Sequence, residues 1–316
     1  MSASDTSLMD KEAAGDSAAS LLQVEKLCKH YPGFDLKQVS FSIAPGSITG
    51  FVGRNGAGKS TTLKCLEGSV HPDSGVITYF GLPFVGHEKE AKRRIGFELG
   101  GAEFYRSKKV GDIARVTVRF YPDWDCSAYE SYCKQFDLDQ AKRIRDLSQG
   151  MRVKFTLALA LSHASQLLIL DEPTSGLDPA SREEVLDIFL RISRVQETGI
   201  LFSTHITSDL DKCADHIVYL DHGVVKGKGE LQVFKDQYRV ALLDEAHAHH
   251  ATVLGTRLTA TQTTALVPAS AGIGRPATLD DIMIHTDNDT SSTVGDCASC
   301  MMQSESSDAS GLCIKR

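Results

Sequence analysis

The stretch 53-GRNGAGKST-61 decides how the rest of the chain is arranged. It follows a strand-like run at residues 47–52 and precedes a helix-like run at residues 60–67. Its spacing, G-x-x-x-x-G-K-S between a strand and a helix, is that of a phosphate-binding loop. The alternative, a glycine-rich turn without function, does not explain why strand, loop, lysine and helix all occur in the required order.

Each residue type in this loop has a chemical reason. Gly53, Gly56 and Gly58 allow backbone conformations that a side chain would obstruct, so successive N–H groups can point at phosphate oxygens. The N-terminus of the following helix adds partial positive charge. Lys59 is spaced to reach the β- and γ-phosphates, and the Ser60 hydroxyl offers Mg²⁺ the oxygen ligand that this cation prefers.

Composition excludes several classes of protein. The 316-residue chain has a net charge of -7, which argues against a general nucleic-acid binder, because such proteins bind through a basic surface. Eight cysteines without a secretory signal or a regular framework indicate reduced thiols in a cytosolic protein. The longest apolar runs fall short of the roughly 20 residues that span a bilayer. The sequence therefore predicts that any membrane association is made through a partner.

The distribution of apolar residues predicts an α/β fold. We expect a P-loop NTPase core with a mainly parallel sheet, an N-terminal antiparallel β-subdomain and a helical insertion. The predicted segments are a disordered leader at 1–20, a nucleotide-binding domain at 21–236 with its helical subdomain at about 106–164, a small appendage at 237–285 and a disordered tail at 286–316.

Two adjacent acids follow the most apolar stretch of the chain. The run at residues 167–170 is typical of a buried parallel strand, and it ends in Asp171 and Glu172. Ligands of open parallel sheets bind at the carboxyl ends of the strands, where the glycine loop also begins. Asp171 can therefore hold Mg²⁺, and Glu172 can polarise the water that attacks a γ-phosphate.

Three further positions leave alternatives open when they are taken alone. Tyr31 can stack on a base or pack as an ordinary tyrosine. Ser148 and Gly150 can cap a helix or hold an anion at its start. His205 can be a structural histidine, although its place after the strand-like run 200–203 suits a contact with a γ-phosphate.

Taken together and in this order, the motifs of residues 21–234 resemble the nucleotide-binding subunit of an ATP-binding-cassette (ABC) transporter. The resemblance implies an ATPase with ATP and Mg²⁺ as cofactors, Glu172 and His205 as catalytic residues, and Ser60 and Asp171 as metal ligands. The residues that it implies for ATP are Tyr31, Gly53, Asn55, Gly56, Ala57, Gly58, Lys59, Ser60, Thr61, Ser148, Gln149, Gly150 and Asp178.

Two motifs depart from the family pattern. The signature reads LSQGM, so that Gln149 stands where the commonest form has glycine, while Ser148 and Gly150 are retained. The segment 95–101 lacks the glutamine that usually links the metal site to the membrane subunit, and Glu98 or Glu103 is a candidate substitute. The LSxGM signature, FYPDWD at 120–125 and ATLDDIMIHT at 277–286 look most like the bacterial drug- and antibiotic-export type.

The resemblance also implies partners. Two such subunits, alike or different, face head to tail, and each ATP lies between one loop and the other chain's signature helix. Integral membrane subunits hold the pair at the cytoplasmic face of the membrane. The rival, a soluble ABC ATPase acting on nucleic acid or the ribosome, fits less well because the chain is acidic, has one phosphate-binding loop and lacks a long heptad run. No nucleic-acid partner is expected.

The C-terminal part carries weaker signals. Residues 268–276 read as a flexible link and residues 279–284 as a short apolar helix. His247, His249 and His250 are expected to be exposed histidines rather than metal ligands, since no thiol or carboxylate accompanies them at fixed spacing. Cys297 and Cys300 form an isolated C-x-x-C that supports neither a zinc nor a redox site.

Overall fold

A computed structural model describes residues 20–98 and 106–286, which form two compact units with their boundary in the chain between Lys235 and Asp236. Most of the predicted leader, the segment around Gly100 with Glu103, and the predicted tail beyond residue 286 with Cys297 and Cys300 lie outside these residues. The two units are described separately below.

The first unit combines two sheets with helices. Within the described residues its strands are β1 (Leu22–Tyr31), β2 (Phe34–Ile43), β3 (Ile48–Val52), β4 (Ser74–Tyr79), β5 (Leu82–Pro83), β6 (Ile95–Glu98), β7 (Leu167–Asp171), β8 (Gly199–Thr204), β9 (His216–Asp221) and β10 (Val224–Glu230). Its helices there are α1 (Lys59–Glu67), α2 (Glu88–Arg93), α3 (Val110–Thr117), α4 (Cys126–Gln135), α5 (Gln149–Ser162), α6 (Pro179–Gln196), α7 (Thr207–Cys213) and α8 (Leu231–Asp236). No helix of residues 20–98 and 106–286 is long and apolar enough to cross a membrane.

The N-terminal sheet is antiparallel, in the order β2-β1-β4-β5. Leu22, Val24 and Leu27 of β1 are buried, while Gln23 is half-buried and Glu25 and Lys26 are exposed, as expected of a sheet with one face on a core. The buried face packs with residues of the second sheet, among them Phe51 and Ile169. The predicted antiparallel β-subdomain is confirmed.

The second sheet has the order β10-β9-β3-β8-β7-β6, and only β10 runs antiparallel to its neighbour. Every residue of β3 and β8 is buried, including the polar Thr49, Ser203 and Thr204, because helices or the other sheet cover both faces of these strands. Strand β8 lies between β3 and β7, although β7 comes before β8 in the chain. The predicted mainly parallel core is confirmed.

Helices α3, α4 and α5 lie between β6 and β7 in the chain and form the predicted helical insertion. Asp125 caps α4 by accepting hydrogen bonds from the backbone N–H groups of Ser127 and Ala128 at 2.8 and 3.0 Å. Ser148 caps α5 by accepting one from Met151 at 3.2 Å. These caps satisfy N–H groups that the first turn of a helix leaves without partners.

The second unit is a small antiparallel sheet with two helices. It comprises β11 (Tyr238–Leu242), α9 (Leu243–Ala248), β12 (Gly255–Leu258), β13 (Thr263–Pro268), β14 (Arg275–Pro276) and α10 (Leu279–Thr286), with strand order β12-β13-β11-β14. Residues 268–276 contain a 3-10 turn and an edge strand, so the prediction of a flexible link there is wrong. Within the described residues no cluster of His, Cys, Asp and Glu could hold a metal.

Candidate active site

Three neighbouring strands end at one edge of the second sheet. The phosphate-binding loop follows β3, Asp171 and Glu172 stand at the end of β7, and His205 follows β8 between them. Because parallel strands share the edge at which they end, the strand order brings the loop, the acids and the histidine together.

Two glycines of the phosphate-binding loop have the positive φ values that glycine adopts readily. Gly56 and Gly58 have φ values of 84° and 107°, which an L side chain rarely adopts. A Cβ at Gly58 would also lie 2.8 Å from Cζ of Phe34. Gly58 is the N-cap of α1, and no side chain caps the first turn of this helix, so no capping side chain competes with an anion for its N–H groups.

Lys59 is only 5% exposed, and its charge is held by oxygen atoms. Its Nζ donates to the carbonyl oxygens of Gly53 at 2.6 Å and Arg54 at 3.2 Å, and it lies 3.6 Å from Oε1 of Glu172. A buried ammonium needs such partners. The arrangement places the lysine head group between the glycine loop and the acid at the end of β7.

Asp171 is oriented by two hydroxyl groups. Ser60 Oγ donates to Oδ2 at 2.9 Å, and Ser203 Oγ donates to Oδ1 at 2.5 Å. A hydroxyl next to a carboxylate fits Mg²⁺, which binds proteins through few oxygen ligands and completes its shell with water and phosphate oxygens. Ser60 and Asp171 are therefore the residues that could hold this ion.

Glu172 and His205 form a pair that the sequence did not reveal. His205 Nδ1 lies 2.7 Å from Oε2 of Glu172, and the backbone N–H of Glu172 donates to Ser203 Oγ at 2.9 Å. Glu172 has φ 52°, a strained value for a residue with a side chain. Glu172 is thus held at its backbone by Ser203 and at its carboxylate by His205, which suits a residue that must accept a proton at one place.

These groups open into a hollow of about 650 Å³. Its lining comprises Gly33, Phe34, Arg54, Asn55, Gly56, Gly58, Lys59, Ser60, Thr61, Glu172, Ser175 and His205. Of the loop residues predicted for ATP, Gly53 and Ala57 are absent from this lining. Phe34 is present although no sequence motif pointed to it, and Ser175 is present as the first residue of the segment 175–178, which resembles the D-loop of ABC subunits and ends at Asp178.

Tyr31 lines a different hollow, of about 310 Å³, that adjoins the first. The two hollows share Gly33, Phe34 and Gly56, so a ligand with its phosphates on the loop could extend its other end towards Tyr31. The tyrosine is 36% exposed. Its stacking role stays a prediction, and Phe34 is a second aromatic at the same boundary.

Ser148, Gln149, Gly150 and Asp178 do not line the hollow of their own chain. Ser148 caps α5, as described above. Asp178 caps α6 and accepts a hydrogen bond from Ser181 Oγ at 2.6 Å, and this bond with those from the backbone lowers the pKa of its carboxyl. A Cβ at Gly150 would lie 3.4 Å from Cβ of Ser181, so the starts of the two helices are in contact. The predicted nucleotide contacts of these four residues stay predictions.

Glu98 stands at the end of β6, and its Oε2 accepts a hydrogen bond from Thr156 Oγ1 of α5 at 2.8 Å. The Glu98 carboxylate is thus hydrogen-bonded to α5, the helix whose N-terminus carries the signature residues. Its suggested role as a substitute for the missing glutamine stays a prediction.

The loop with its lysine, the acids at the end of β7 and the histidine after β8 define a P-loop nucleoside triphosphatase. Residues 36–175 match the ABC transporter family, and the chain is 35% identical over 223 residues to the ABC transporter ATP-binding protein YxlF of Bacillus subtilis (strain 168), covering 69% of this chain and 73% of YxlF. The chain belongs to the ABC transporter family and is one of its ATP-binding ATPase subunits.

A second relative carries a more specific name. Nod factor export ATP-binding protein I of Rhizobium meliloti is 31% identical over 276 residues, covering 78% of this chain and 82% of that protein.

Solved structures share the fold. The ATP-binding subunit of an ABC transporter has a TM-score of 0.62 at 28% identity and is matched over 69% of this chain and 93% of its own. A dimeric post-hydrolysis ATP-binding cassette bound to ADP and Pi has a TM-score of 0.59 at 18% identity, over 66% of this chain and 98% of its own.

Proposed function

We propose that this chain hydrolyses ATP while paired with a second ATP-binding subunit, and that the pair drives separate integral membrane subunits for export at the cytoplasmic face of the membrane. The observation that carries the proposal is the division of the site: one chain supplies the loop, the acids and the histidine, whereas its signature residues lie away from that hollow. The export direction is supported by the Nod factor relative.

In this arrangement each side chain has a distinct task. Lys59 exchanges its contacts with Gly53 and Arg54 for the β- and γ-phosphates of ATP, and the loop N–H groups bind the remaining oxygens. Ser60 and Asp171 would hold Mg²⁺, which would neutralise charge on the phosphates. Ser148 and Gly150 of the second subunit close over the γ-phosphate.

Glu172 accepts a proton from the attacking water while the water oxygen forms a bond to the γ-phosphorus and the bond to the bridging oxygen breaks. His205 keeps the carboxylate of Glu172 in one orientation through their 2.7 Å contact and faces the same hollow. Loss of the γ-phosphate removes the group that joins the two subunits, so hydrolysis opens the pair. The rival function on nucleic acid or the ribosome is not favoured by relatives that are transporter ATP-binding proteins.

The substitution Glu172→Gln tests the role of the carboxylate. We expect turnover to fall by about 100-fold or more, because the amide cannot accept the proton, while ATP binding is retained. The measurement is phosphate release at saturating ATP and Mg²⁺, with nucleotide affinity measured in parallel. Glu183→Gln, at an exposed acid of α6, is the control and should leave turnover unchanged. Parental turnover in Glu172→Gln would refute the assignment.

A further inference from the structure

A buried acid and an arginine face each other between α6 and α7. Asp209 lies in the first turn of α7, and its side chain is 0% exposed. Arg182 lies one turn after Asp178, the residue that caps α6, and its side chain is 27% exposed. The Arg182 Nε and the Asp209 Oδ1 are 4.0 Å apart.

Neither group has completed its hydrogen bonds. Among the residues that the structure describes, both carboxylate oxygens of Asp209 and the shielded Nε of Arg182 have no hydrogen-bond partner. An unpartnered buried carboxylate is costly, and a charge-assisted N–H···O bond has a length of about 2.7–2.9 Å. An approach of the two helices by about 1 Å would therefore convert a costly arrangement into a favourable one.

The two helices carry parts of the catalytic apparatus. His205 lies just before α7, and the backbone N–H of Ile206, the N-cap of that helix, donates to Thr204 Oγ1 at 2.9 Å. His205 contacts Glu172 at 2.7 Å. A shift of α7 towards α6 must therefore move the position from which His205 meets Glu172.

We propose that Asp209 is a positioning residue for His205, acting through a contact with Arg182 that completes when α6 and α7 approach each other in the catalytic arrangement. The contact fixes the first turn of α7, and with it the imidazole, at the γ-phosphate end of the hollow. The proposal rests on the roles proposed above for Glu172 and His205. Glu172→Gln tests those roles by a substitution that does not involve Asp209.

The variant Asp209→Asn tests this proposal because it keeps the shape of the side chain and removes the charge. We expect kcat for ATP hydrolysis to fall about tenfold with KM for ATP within about twofold, since the phosphate loop is untouched. The melting temperature should stay the same or rise, because a buried charge without partners is removed. Asp209→Glu, one methylene longer, should bridge the gap and retain most of the activity.

The same two helices offer a matched control. Glu183 of α6 and Lys212 of α7 form an ion pair whose side chains are 54% and 43% exposed. Exposed pairs contribute little, so Glu183→Gln should leave kcat, KM and melting temperature unchanged. Arg182→Gln should reproduce the loss of Asp209→Asn, and the double variant should lose no more than either single variant, because all three lack one contact.

Three results would overturn the proposal: parental kcat in Asp209→Asn, a loss of kcat that parallels a loss of melting temperature, or additive losses in the double variant. If Asp209→Asn does not fold, the loss of kcat in Arg182→Gln and the retained activity of Asp209→Glu still decide the question. Arg182 is partly exposed, so its substitution does not place an amide in the core.

Discussion

Asp281 illustrates how a buried carboxylate remains charged in this protein. It is 8% exposed, and its oxygens accept hydrogen bonds from Arg275 Nη1 and Nη2 at 2.6 and 2.9 Å and from the Thr278 N–H and Oγ1 at 2.9 and 2.8 Å. Burial alone would raise its pKa, but these bonds outweigh burial and lower the pKa to about 2. Asp209, by contrast, has no hydrogen-bond partner for either carboxylate oxygen among the described residues.

The lowered pKa of Asp281 predicts acid sensitivity in the second unit. A carboxyl whose folded pKa lies below the unfolded value of about 3.9 stabilises the fold above that pH, and this stability is lost as pH falls towards about 2. We expect the unit to lose about 1–2 kcal/mol of its free energy of unfolding over this window. The loss is measured by urea unfolding at several pH values, with hydrogen exchange of the β13 amides as the probe of unfolding.

Asp281→Asn should remove that pH dependence while lowering stability at neutral pH. Asp244→Asn, at an exposed acid of α9, should behave like the parent chain. An equal stability difference between parent and Asp281→Asn at pH 6 and at pH 2 would contradict the account, because the charged form would then contribute nothing.

At the residue scale, the sequence identified side chains that meet at one edge of the sheet, but not the contacts between them. Asp171, Glu172 and His205 could be found because each follows an apolar strand. Ser203 could not, since its bond to Asp171 depends on the register in which β7 pairs with β8. That register follows from strand order, which a single sequence does not specify.

Among the elements, the turn between β9 and β10 has the clearest consequence for the loop. The N–H of Gly223 donates to the carbonyl oxygen of Ala57 at 2.9 Å, and its own carbonyl oxygen accepts from the N–H of Lys37 at 2.7 Å. A Cβ at Gly223 would overlap the carbonyl oxygen of Asp35. The turn therefore joins the phosphate-binding loop to β2, and its tightness depends on glycine.

Gly223→Ala should loosen this connection. We expect KM for ATP to rise about tenfold, because the loop loses a fixed neighbour, while kcat changes less. Gly81→Ala is a matched control: its φ of 81° is close to the 77° of Gly223, but no atom lies within 4 Å of the added Cβ. Steady-state ATP hydrolysis checks both variants. If Gly223→Ala and Gly81→Ala had equal KM values, any change would be due to backbone strain. The close approach of Gly223 to the Asp35 carbonyl oxygen would then have no role in ATP binding.

Elements with strong local signals could be predicted, whereas the sheet of the second unit could not. The turn at Asp221 to Gly223 and the apolar core strands carry such signals. In contrast, β11 pairs with β13 through partners such as Tyr238 and Pro268, which lie far apart in sequence. Strands this short gain their stability from pairing and packing rather than from local propensity, so their sequence pattern is weak.

At the scale of the whole molecule, the proposed function depends on which parts of the ATP site one chain supplies. The hollow on the phosphate loop is lined by Lys59, Ser60, Glu172 and His205, and the signature residues of the same chain are elsewhere. The order of motifs in the sequence predicted the residues that we propose for both halves. Which chain supplies the second half is a matter of assembly, and the sequence of one chain specifies it only through resemblance to its family.

The most direct test of this claim is the mass of the Glu172→Gln variant in solution, measured by light scattering with ATP and Mg²⁺, with ADP, or without nucleotide. We expect twice the mass of one chain in the sample with ATP and Mg²⁺, and the mass of one chain in the other two samples. The reason is that the uncleaved γ-phosphate joins the loop of one chain to Ser148 of the other. Adding Ser148→Arg to the same chain should abolish this increase. An unchanged mass with ATP, or an equal increase with Ser148→Arg present, would contradict an ATP site shared between two copies.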